Sequence, residues 1–303
     1  MKRALFFVLF FYARFCYALL ETGADFLKFS LSSRAVGTGE AQTAAVQDAF
    51  GFLYNPAGLT DSKKEFLFSY SQPPTRDAYL GYVGGIWSYK KFANFALGLL
   101  NYRTEPIPVT GESPEIIGEA VWSDYAFCFG FGKKLISNFF VGLNLKYIYR
   151  YEKDPVYGKA IGSALCLDSG IVYSIRNFRF GLSSLNFGTK VKYSNDPKED
   201  SLPESFRSGI LWNFYNEKSK KLDLYSDFVK DKGDKFRPHI GLELSYIETV
   251  YIRFGYFSKE GNIEGVNYGL GFIYKGFCFG WADQEAGKLG SGRTSVVSLS
   301  KIF

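Results

Sequence analysis

Residues 33–59 decide the fold, and they read SRAVGTGEAQTAAVQDAFGFLYNPAGL. Small residues dominate this stretch, at positions Gly37, Gly39, Ala41, Ala44, Ala45, Ala49, Gly51, Ala57 and Gly58. A backbone that carries mostly small side chains can run through a confined space that larger side chains would block. We expect an Ala-rich helical turn around residues 41–49 and a second turn or helix start at Asn55-Pro56. The stretch is therefore predicted to plug whatever enclosure the rest of the chain builds.

The chain that follows alternates between apolar and polar residues, a period that is typical of strands. In residues 139–150, one face would carry Phe139, Val141, Leu143, Leu145, Tyr147 and Tyr149, and the other Gly142, Asn144, Lys146 and Arg150. Aromatic residues make up 19% of the chain, which suits strands that lie on an apolar surface. About fourteen such segments can be recognised, at residues 65–71, 79–89, 92–102, 124–131, 139–150, 161–175, 178–189, 205–215, 221–229, 237–247, 250–258, 266–274, 277–283 and 293–303.

Short and long connections alternate between these segments. Residues 136–138 and 275–276 are tight links, whereas residues 103–120 and 190–204 form much longer ones. Outer-membrane barrels have short turns at the periplasmic end and longer loops outside. The sequence therefore predicts an all-β fold, a transmembrane antiparallel β-barrel of about 14 strands over residues 64–303. A soluble sandwich or propeller is the alternative, but it leaves the asymmetry of the connections without an explanation.

An even number of strands places both ends of the barrel on the periplasmic side. Residues 19–63 therefore lie at the periplasmic opening of the barrel, from which they can enter the lumen. We expect them to form an N-terminal small-residue hatch there. The mean hydropathy of -0.08 does not argue against a membrane location, because a barrel hides its lipid-facing residues in every second position.

The N-terminus has the pattern of a signal peptide, which we assign to residues 1–18. Lys2 and Arg3 precede an apolar run at residues 4–13, and Cys16-Tyr17-Ala18 is a small-x-small ending. Arg14 stops the run short of the roughly 18 apolar residues that a membrane anchor needs. We therefore predict cleavage after Ala18 and export to the bacterial outer membrane. The expected partners there are outer-membrane lipid and the barrel-insertion machinery, for which the terminal aromatic Phe303 is a typical signal.

Charge and cysteine content exclude several classes of protein. The chain has 36 basic and 30 acidic residues, for a formal net charge of +6, without a basic block. We interpret these charges as solvated loops and turns, and we expect no nucleic-acid partner, because that function needs a clustered basic face. Cys128, Cys166 and Cys278 are widely spaced and odd in number, which favours small buried residues over a disulfide framework or a zinc site.

The sequence carries no recognisable catalytic motif. His239 is the only histidine, and neither G-x-S-x-G nor H-E-x-x-H surrounds it. Gly37-Thr38-Gly39 lacks the third glycine and the context of a dinucleotide-binding fingerprint. We therefore expect no enzyme activity, no catalytic residues, no cofactor and no metal site.

The parity of the strands predicts which charged and polar residues face the lumen. The lumen-facing set is Lys146, Arg150, Arg179, Arg207, Asp223, Asp227, His239, Glu243 and Arg253, together with Asp124 and Asp168. Charges of both signs inside a barrel can pair with one another and with a plug, or they can line a path for a solute. We favour pairing, because mixed charges give no obvious selectivity.

Three phrases of the N-terminal stretch carry a family resemblance. They are RAVGTGEA at residues 34–41, AVQDA at residues 45–49 and YNPAGL at residues 54–59. Together they resemble the N-terminal signature of the PorV/PorQ family, within the FadL-like outer-membrane β-barrel proteins. The resemblance implies a barrel of about fourteen strands and a hatch motif made of Arg34, Gly37, Gly39, Asp48, Asn55, Pro56 and Gly58.

The resemblance implies two functions of different classes. FadL-like transporters pass hydrophobic small molecules across the outer membrane through the hatch, and this is the function we expect. PorV is a component of type IX protein secretion that receives secreted cargo proteins, which is the alternative. A structural barrel without transport is the second alternative.

Overall fold

The structure is a computed structural model, and it describes residues 22–45, 48–72, 78–89, 93–111, 115–195, 197–259, 263–285 and 293–303. The signal peptide predicted for residues 1–18 lies outside the described residues.

In the described ranges, seventeen strands follow an N-terminal segment, which we define as residues 22–61. The strands are β1 (Glu65–Gln72), β2 (Ala78–Tyr89), β3 (Ala93–Thr104), β4 (Ile107–Thr110), β5 (Ile116–Ile136), β6 (Phe139–Asp154), β7 (Gly158–Ile175), β8 (Phe178–Gly188), β9 (Val191–Tyr193), β10 (Glu199–Asp200), β11 (Ser205–Asn216), β12 (Lys220–Asp231), β13 (Arg237–Tyr246), β14 (Val250–Lys259), β15 (Ile263–Tyr274), β16 (Phe277–Glu285) and β17 (Arg293–Ile302).

Fourteen of these strands close into an antiparallel barrel, and β4, β9 and β10 lie outside that circle. Closure is made by β1, in which Ser69 is opposite Tyr82 of β2 on one side and Ser298 of β17 on the other. Every neighbouring pair around the circle is antiparallel, and each of the fourteen strands pairs on both sides, so no strand of the circle has a free edge. The prediction of an all-β antiparallel barrel of about 14 strands is confirmed.

The sequence missed the three short strands, because they lie in segments predicted to be loops. Ile107 of β4 pairs with Ala120, so β5 begins at Ile116 instead of near residue 124 and projects beyond the wall. Val191 of β9 pairs with Asp200 of β10 in the connection between β8 and β11. The exposed positions in these extensions fall on both faces, so the alternation that marks a half-buried strand is lost.

The two faces of the wall differ in chemistry. Phe127 and Phe129 of β5 are 49% and 45% exposed, while Cys128 between them is buried. The same apolar, exposed face continues around the barrel, for example at Leu143 and Leu270. An apolar outer surface with a polar inner one is the arrangement of a membrane-spanning barrel.

The helices described in the N-terminal segment are all short. They are the 3₁₀ helix η1 (Asp25–Lys28), the α-helix α1 (Ser33–Gly37), and the 3₁₀ helices η2 (Gly51–Leu53) and η3 (Pro56–Asp61). The α-helix thus lies earlier than the Ala-rich helical turn predicted around residues 41–49. Of that range, residues 46–47 lie outside the described residues, and residues 41–45 and 48–49 contain turns and no helix. Across the described ranges, no helix has the length and apolar character needed to span a membrane. The segment shares a large buried apolar cluster with the inner faces of β1, β2, β3, β5, β6 and β7.

Candidate functional site

The first part of the N-terminal segment is shaped by Ser32 and Asp48. The hydroxyl of Ser32 accepts a hydrogen bond from the amide of Ala35 at 3.1 Å, which caps α1. The same hydroxyl donates to Oδ2 of Asp48 at 2.6 Å. Oδ1 of Asp48 accepts from the amides of Phe50 and Gly51 at 3.0 and 2.9 Å. Asp48 therefore joins two parts of the segment.

Arg34 connects α1 to the barrel wall. Its guanidinium lies 2.5 Å from Oε1 of Glu243 in β13, and the other carboxylate oxygen of Glu243 lies 2.5 Å from Arg253 in β14. Burial opposes the charge of Arg34, but the carboxylate of Glu243 outweighs it and raises the pKa of Arg34 above its usual value. Glu243 is 2% exposed, so one buried carboxylate holds two cations.

Polar contacts continue on what we call the β11–β17 side, the inner face of those strands. Oδ2 of Asp227 accepts from both the amide and the hydroxyl of Thr43, at 2.9 and 2.6 Å. Nδ1 of His239 donates to the carbonyl of Gly39 at 2.7 Å. The side-chain amide of Asn267 donates to the carbonyl of Val36, also at 2.7 Å. Side chains of the wall thus form hydrogen bonds with backbone groups of the segment that have no partner within a helix.

Glycines allow the segment and the wall to approach closely. Gly39 has a φ of 65°, which glycine adopts at little cost, and a Cβ on it would lie 2.4 Å from the carbonyl oxygen of Tyr256. Gly255 of the wall is its counterpart, since a Cβ there would lie 2.1 Å from the amide of Gly39. Gly37 packs in the same way against the side chain of Arg253.

Asn55 fixes the segment on the opposite side, which we call the β1–β8 side. Its Oδ1 accepts from the amide of Ala57 at 3.0 Å and caps η3, in which Pro56 takes a first-turn position. Its amide group donates to the carbonyls of Thr43 and, in β7, Ile171, at 2.7 and 3.1 Å. The wall glycine Gly142 again gives room, because a Cβ there would lie 2.1 Å from the carbonyl carbon of Pro56.

Gly58 is the last of the seven motif residues along the chain. It is buried in η3, where its amide donates to the carbonyl of Asn55 at 3.1 Å. Its own carbonyl accepts from the hydroxyl of Ser62 at 3.0 Å. All seven residues of the motif therefore lie at bends of the segment or at its contacts with the wall.

Aromatic packing dominates the β1–β8 side. Phe52 is fully buried and fits over two wall glycines, Gly98 and Gly130, whose added Cβ atoms would lie 3.2 and 2.8 Å from its ring. Phe50 meets the ring of Tyr82 edge to face, with 4.9 Å between the ring centroids. The hydroxyl of Tyr82 donates to the carbonyl of Ala49.

The remaining lumen-facing predictions fall into two groups. Within the wall, Lys146 pairs with Asp168 at 2.8 Å, Arg150 pairs with Asp124 at 3.0 Å, and Asp223 accepts from Asn213 at 2.7 Å. Two residues reach the segment instead. Arg179 lies 3.3 Å from Asp61, and Arg207 donates to the carbonyl of Glu40 at 3.2 Å and covers the ring of Tyr54. On both sides, therefore, some of these charged residues pair within the wall and others contact the segment.

A cavity of about 180 Å³ lies between the N-terminal segment and the wall. Apolar side chains make up much of its lining, namely Phe29, Phe50, Leu53, Leu100, Leu185 and Val229. The cations Lys146 and Arg207 also line it, together with the carboxylates of Asp25, Glu40 and Asp231. The arrangement can hold a small apolar molecule beside charged groups of both signs.

Several residues of the site escaped the sequence analysis. Tyr82, Tyr225, Asn94 and Asn267 are buried on inner faces and contact the segment or its charged partners. Glu65 accepts from the amide of Ala49 at 2.7 Å. The strand parity that selected the charged residues could have found these five as well, if uncharged polar residues and strand ends had been included.

The described residues show little sign of metal or disulfide chemistry. No group of three or more His, Cys, Asp or Glu side chains among them is placed to hold a metal ion. Cys128, Cys166 and Cys278 are free thiols, and the first two are buried.

The barrel is similar to solved structures of membrane channels. The toluene transporter TodX of P. putida has a TM-score of 0.58 at 11% identity, over 91% of this chain and 98% of that one. The CymD monoaromatic hydrocarbon channel has a TM-score of 0.62 at 12% identity, over 90% and 98%. A Pseudomonas aeruginosa FadL homologue has a TM-score of 0.55 at 10% identity, over 89% and 97%. At these identities the likeness shows that the chain has the fold of FadL-like barrels.

No protein-family model matches the chain, and no curated protein matches it.

Proposed function

We propose that this chain is an outer-membrane barrel that passes small hydrophobic molecules, each about the size of one aromatic ring, through its lumen. The cavity beside the N-terminal segment is the observation that carries this proposal. Its volume of about 180 Å³ is close to the roughly 150 Å³ of a cavity that holds benzene. Its apolar lining favours a hydrocarbon, and its charged lining residues have both signs, so they favour no particular charge on the solute.

The outer face of the wall supports a membrane location. Large apolar side chains such as Phe254 and Leu299 are each 54% exposed, and water would disfavour a surface of this kind on a soluble protein. The proposed location is the bacterial outer membrane, reached with the signal peptide at residues 1–18 and the barrel-insertion machinery. The fold neighbours described as a toluene transporter and a monoaromatic hydrocarbon channel agree with transport and with the absence of an enzyme activity.

We assign the hatch to residues 19–63, with the seven motif residues as its anchors. Arg34 and Asn55 tie it to opposite sides of the barrel, so a solute that crosses the lumen has to displace part of it. The cavity lies at the boundary of the segment and the wall. A ligand there would compete with contacts of the segment, which gives binding a direct way to loosen the hatch.

The test is uptake of labelled toluene by vesicles that contain the purified, folded barrel. Leu100→Trp would fill the cavity, because Leu100 is 3% exposed and lines it. Leu97→Trp is the matched control on the same strand, since Leu97 is 53% exposed on the outer face. We expect uptake to fall with Leu100→Trp and to persist with Leu97→Trp, provided that both variants keep heat-modifiable mobility. Equal uptake by both variants would exclude this cavity from the route.

Protein secretion of the PorV type is the second candidate, and the N-terminal signature supports it. It predicts that exported proteins co-purify with the barrel after mild solubilisation and that uptake of labelled toluene or fatty acid stays at background. Uptake without co-purified cargo favours transport. A barrel that shows neither property would be structural.

A further inference from the structure

The two ends of the barrel differ in charge. At the end with the short turns, each of six connections or chain ends carries a basic residue. We call this set the basic rim, and it consists of Lys64, Lys134, Arg176, Lys220, Lys275 and Lys301. The first five are exposed and Lys301 is partly so. These residues are far apart in sequence, but closure of the barrel places them on one ring.

Carboxylates near the basic rim are engaged with other cations. Asp61 pairs with Arg179 at 3.3 Å, and Glu248 pairs with Lys221. Glu217 is the exposed carboxylate of the β11–β12 turn, and that turn also holds Lys218 beside Lys220. The rim therefore keeps an excess of positive charge.

The opposite end is mixed in charge. Some cations there pair with carboxylates, as Lys232 does with Glu204 at 2.7 Å and Lys192 does with Glu199 at 3.3 Å. The net charge of +6 is therefore not distributed evenly over the molecule. A positive surface at one end alone selects an anionic partner at that end.

Aromatic rings place the basic rim at the depth of lipid headgroups. The amine of Lys64 lies 5.3 Å from the ring centroid of Phe303, and that of Lys301 lies 4.1 Å from the ring centroid of Phe277. Phe303 and Phe277 are 70% and 56% exposed. Exposed aromatic rings at strand ends form the girdles that mark the boundary between membrane and water. Amines beside such rings reach the phosphate layer.

We propose that the basic rim binds the headgroups of anionic phospholipids in the leaflet that faces the short turns. This rests on the membrane location in the proposed function, and it is independent of transport. Short turns face the periplasm in outer-membrane barrels, so the leaflet is the periplasmic one. Electrostatic attraction to that leaflet fixes the height and orientation of the barrel, and it weakens as salt is added.

The experiment compares two variants of equal net charge. The rim variant carries Lys64→Gln, Lys134→Gln, Lys220→Gln and Lys275→Gln. The loop-end variant carries Lys153→Gln, Lys159→Gln, Lys190→Gln and Lys235→Gln, at four exposed lysines of the other end. Binding of phosphatidylglycerol and of phosphatidylcholine to the folded full chain in neutral detergent is followed by native mass spectrometry. Heat-modifiable mobility establishes that each variant is folded.

We expect the rim variant to lose about ten-fold or more in affinity for phosphatidylglycerol, because each surface cation contributes to anionic-lipid binding. Phosphatidylcholine binding should not change, and the loop-end variant should behave like the wild type. Equal losses in both variants, or wild-type binding of both lipids with equal affinity, would overturn the proposal. Displacement by inorganic phosphate but not by chloride of the same ionic strength would also overturn it, in favour of a small-anion site.

Toluene uptake is measured on the same preparations in phosphatidylcholine vesicles. If the wild-type barrel prefers phosphatidylglycerol but takes up no toluene, the result counts against the transport function alone. If the wild-type barrel takes up toluene but does not prefer phosphatidylglycerol, the result counts against the basic rim alone.

Discussion

On the β11–β17 side, the N-terminal segment meets carboxylates, guanidinium groups and an imidazole, whereas on the β1–β8 side it meets mainly aromatic and aliphatic side chains. Glu243, Asp227 and His239 represent the first side. Phe52 and Tyr82 represent the second. The segment is thus held by directional bonds on one side and by packing on the other.

The difference predicts which side gives way first. A hydrogen bond or ion pair can be exchanged for water at a modest net cost once water enters. Buried aromatic packing has no such substitute, because removing a ring leaves a cavity as well as lost burial. We expect an opening hatch to separate from the β11–β17 side while it stays packed on the β1–β8 side.

Deleting residues 33–59 should have the largest effect, because it removes the anchors on both sides at once. The strands close without the segment, so the barrel should still fold and show heat-modifiable mobility. We expect its single-channel conductance in planar bilayers to rise at least about ten-fold, since the lumen of a barrel of this size is wide enough to conduct when it is cleared. Unchanged conductance would count against the assignment of this stretch as a plug.

Phe52→Ala tests the β1–β8 side. Phe52 is fully buried, and losing a buried ring costs about 3–5 kcal/mol. Hydrogen exchange of the backbone amides in residues 48–61 should become faster by orders of magnitude. Phe129→Ala removes the same ring from the exposed face of β5 and should leave this exchange as it is. Protection of residues 48–61 in the Phe52 variant would show that packing does not hold this side.

Alternation made the wall predictable from the sequence. In β6, apolar residues occupy every second position from Phe139 to Tyr149. The strand follows this pattern because its outward face has to be apolar. The connection between β8 and β11 lacks this alternation, so β9 and β10 were not predicted. The alternation also predicted which charged residues face the lumen. It could not predict which of them contact the N-terminal segment, because that segment has no periodic pattern from which its path can be inferred.

The basic rim shows a second limit of sequence reasoning. Lys64, Lys134 and Lys275 occur singly or in pairs in separate turns, so the sequence contains no basic block. Their common ring exists only after β1 pairs with β17. Interpreting the charges as solvated turns was therefore incomplete, since it ignored that all short turns share one end.

Glu243→Gln tests the ion pairs of the β11–β17 side. It leaves Arg34 and Arg253 close together without their shared anion, and breaking a buried pair in this way costs about 3 kcal/mol. That corresponds to roughly 100-fold in an opening equilibrium, which should appear as more frequent openings in planar bilayers. Glu248→Gln removes an exposed carboxylate beside Lys221, and such a pair is worth little. Equal opening frequencies in the two variants would contradict a latch at Glu243.

Asp227→Asn tests the weakest of these contacts. Asparagine keeps one acceptor oxygen for Thr43 but loses the charge that strengthens the two bonds at 2.9 and 2.6 Å. We expect a loss of about 1 kcal/mol, so the amide of Thr43 should exchange roughly five times faster. Asp223→Asn is the control, because Asp223 accepts from Asn213 within the wall. If both variants speed the exchange of Thr43 equally, the effect belongs to the charge of the lumen as a whole, and the β11–β17 side is not held by individual bonds.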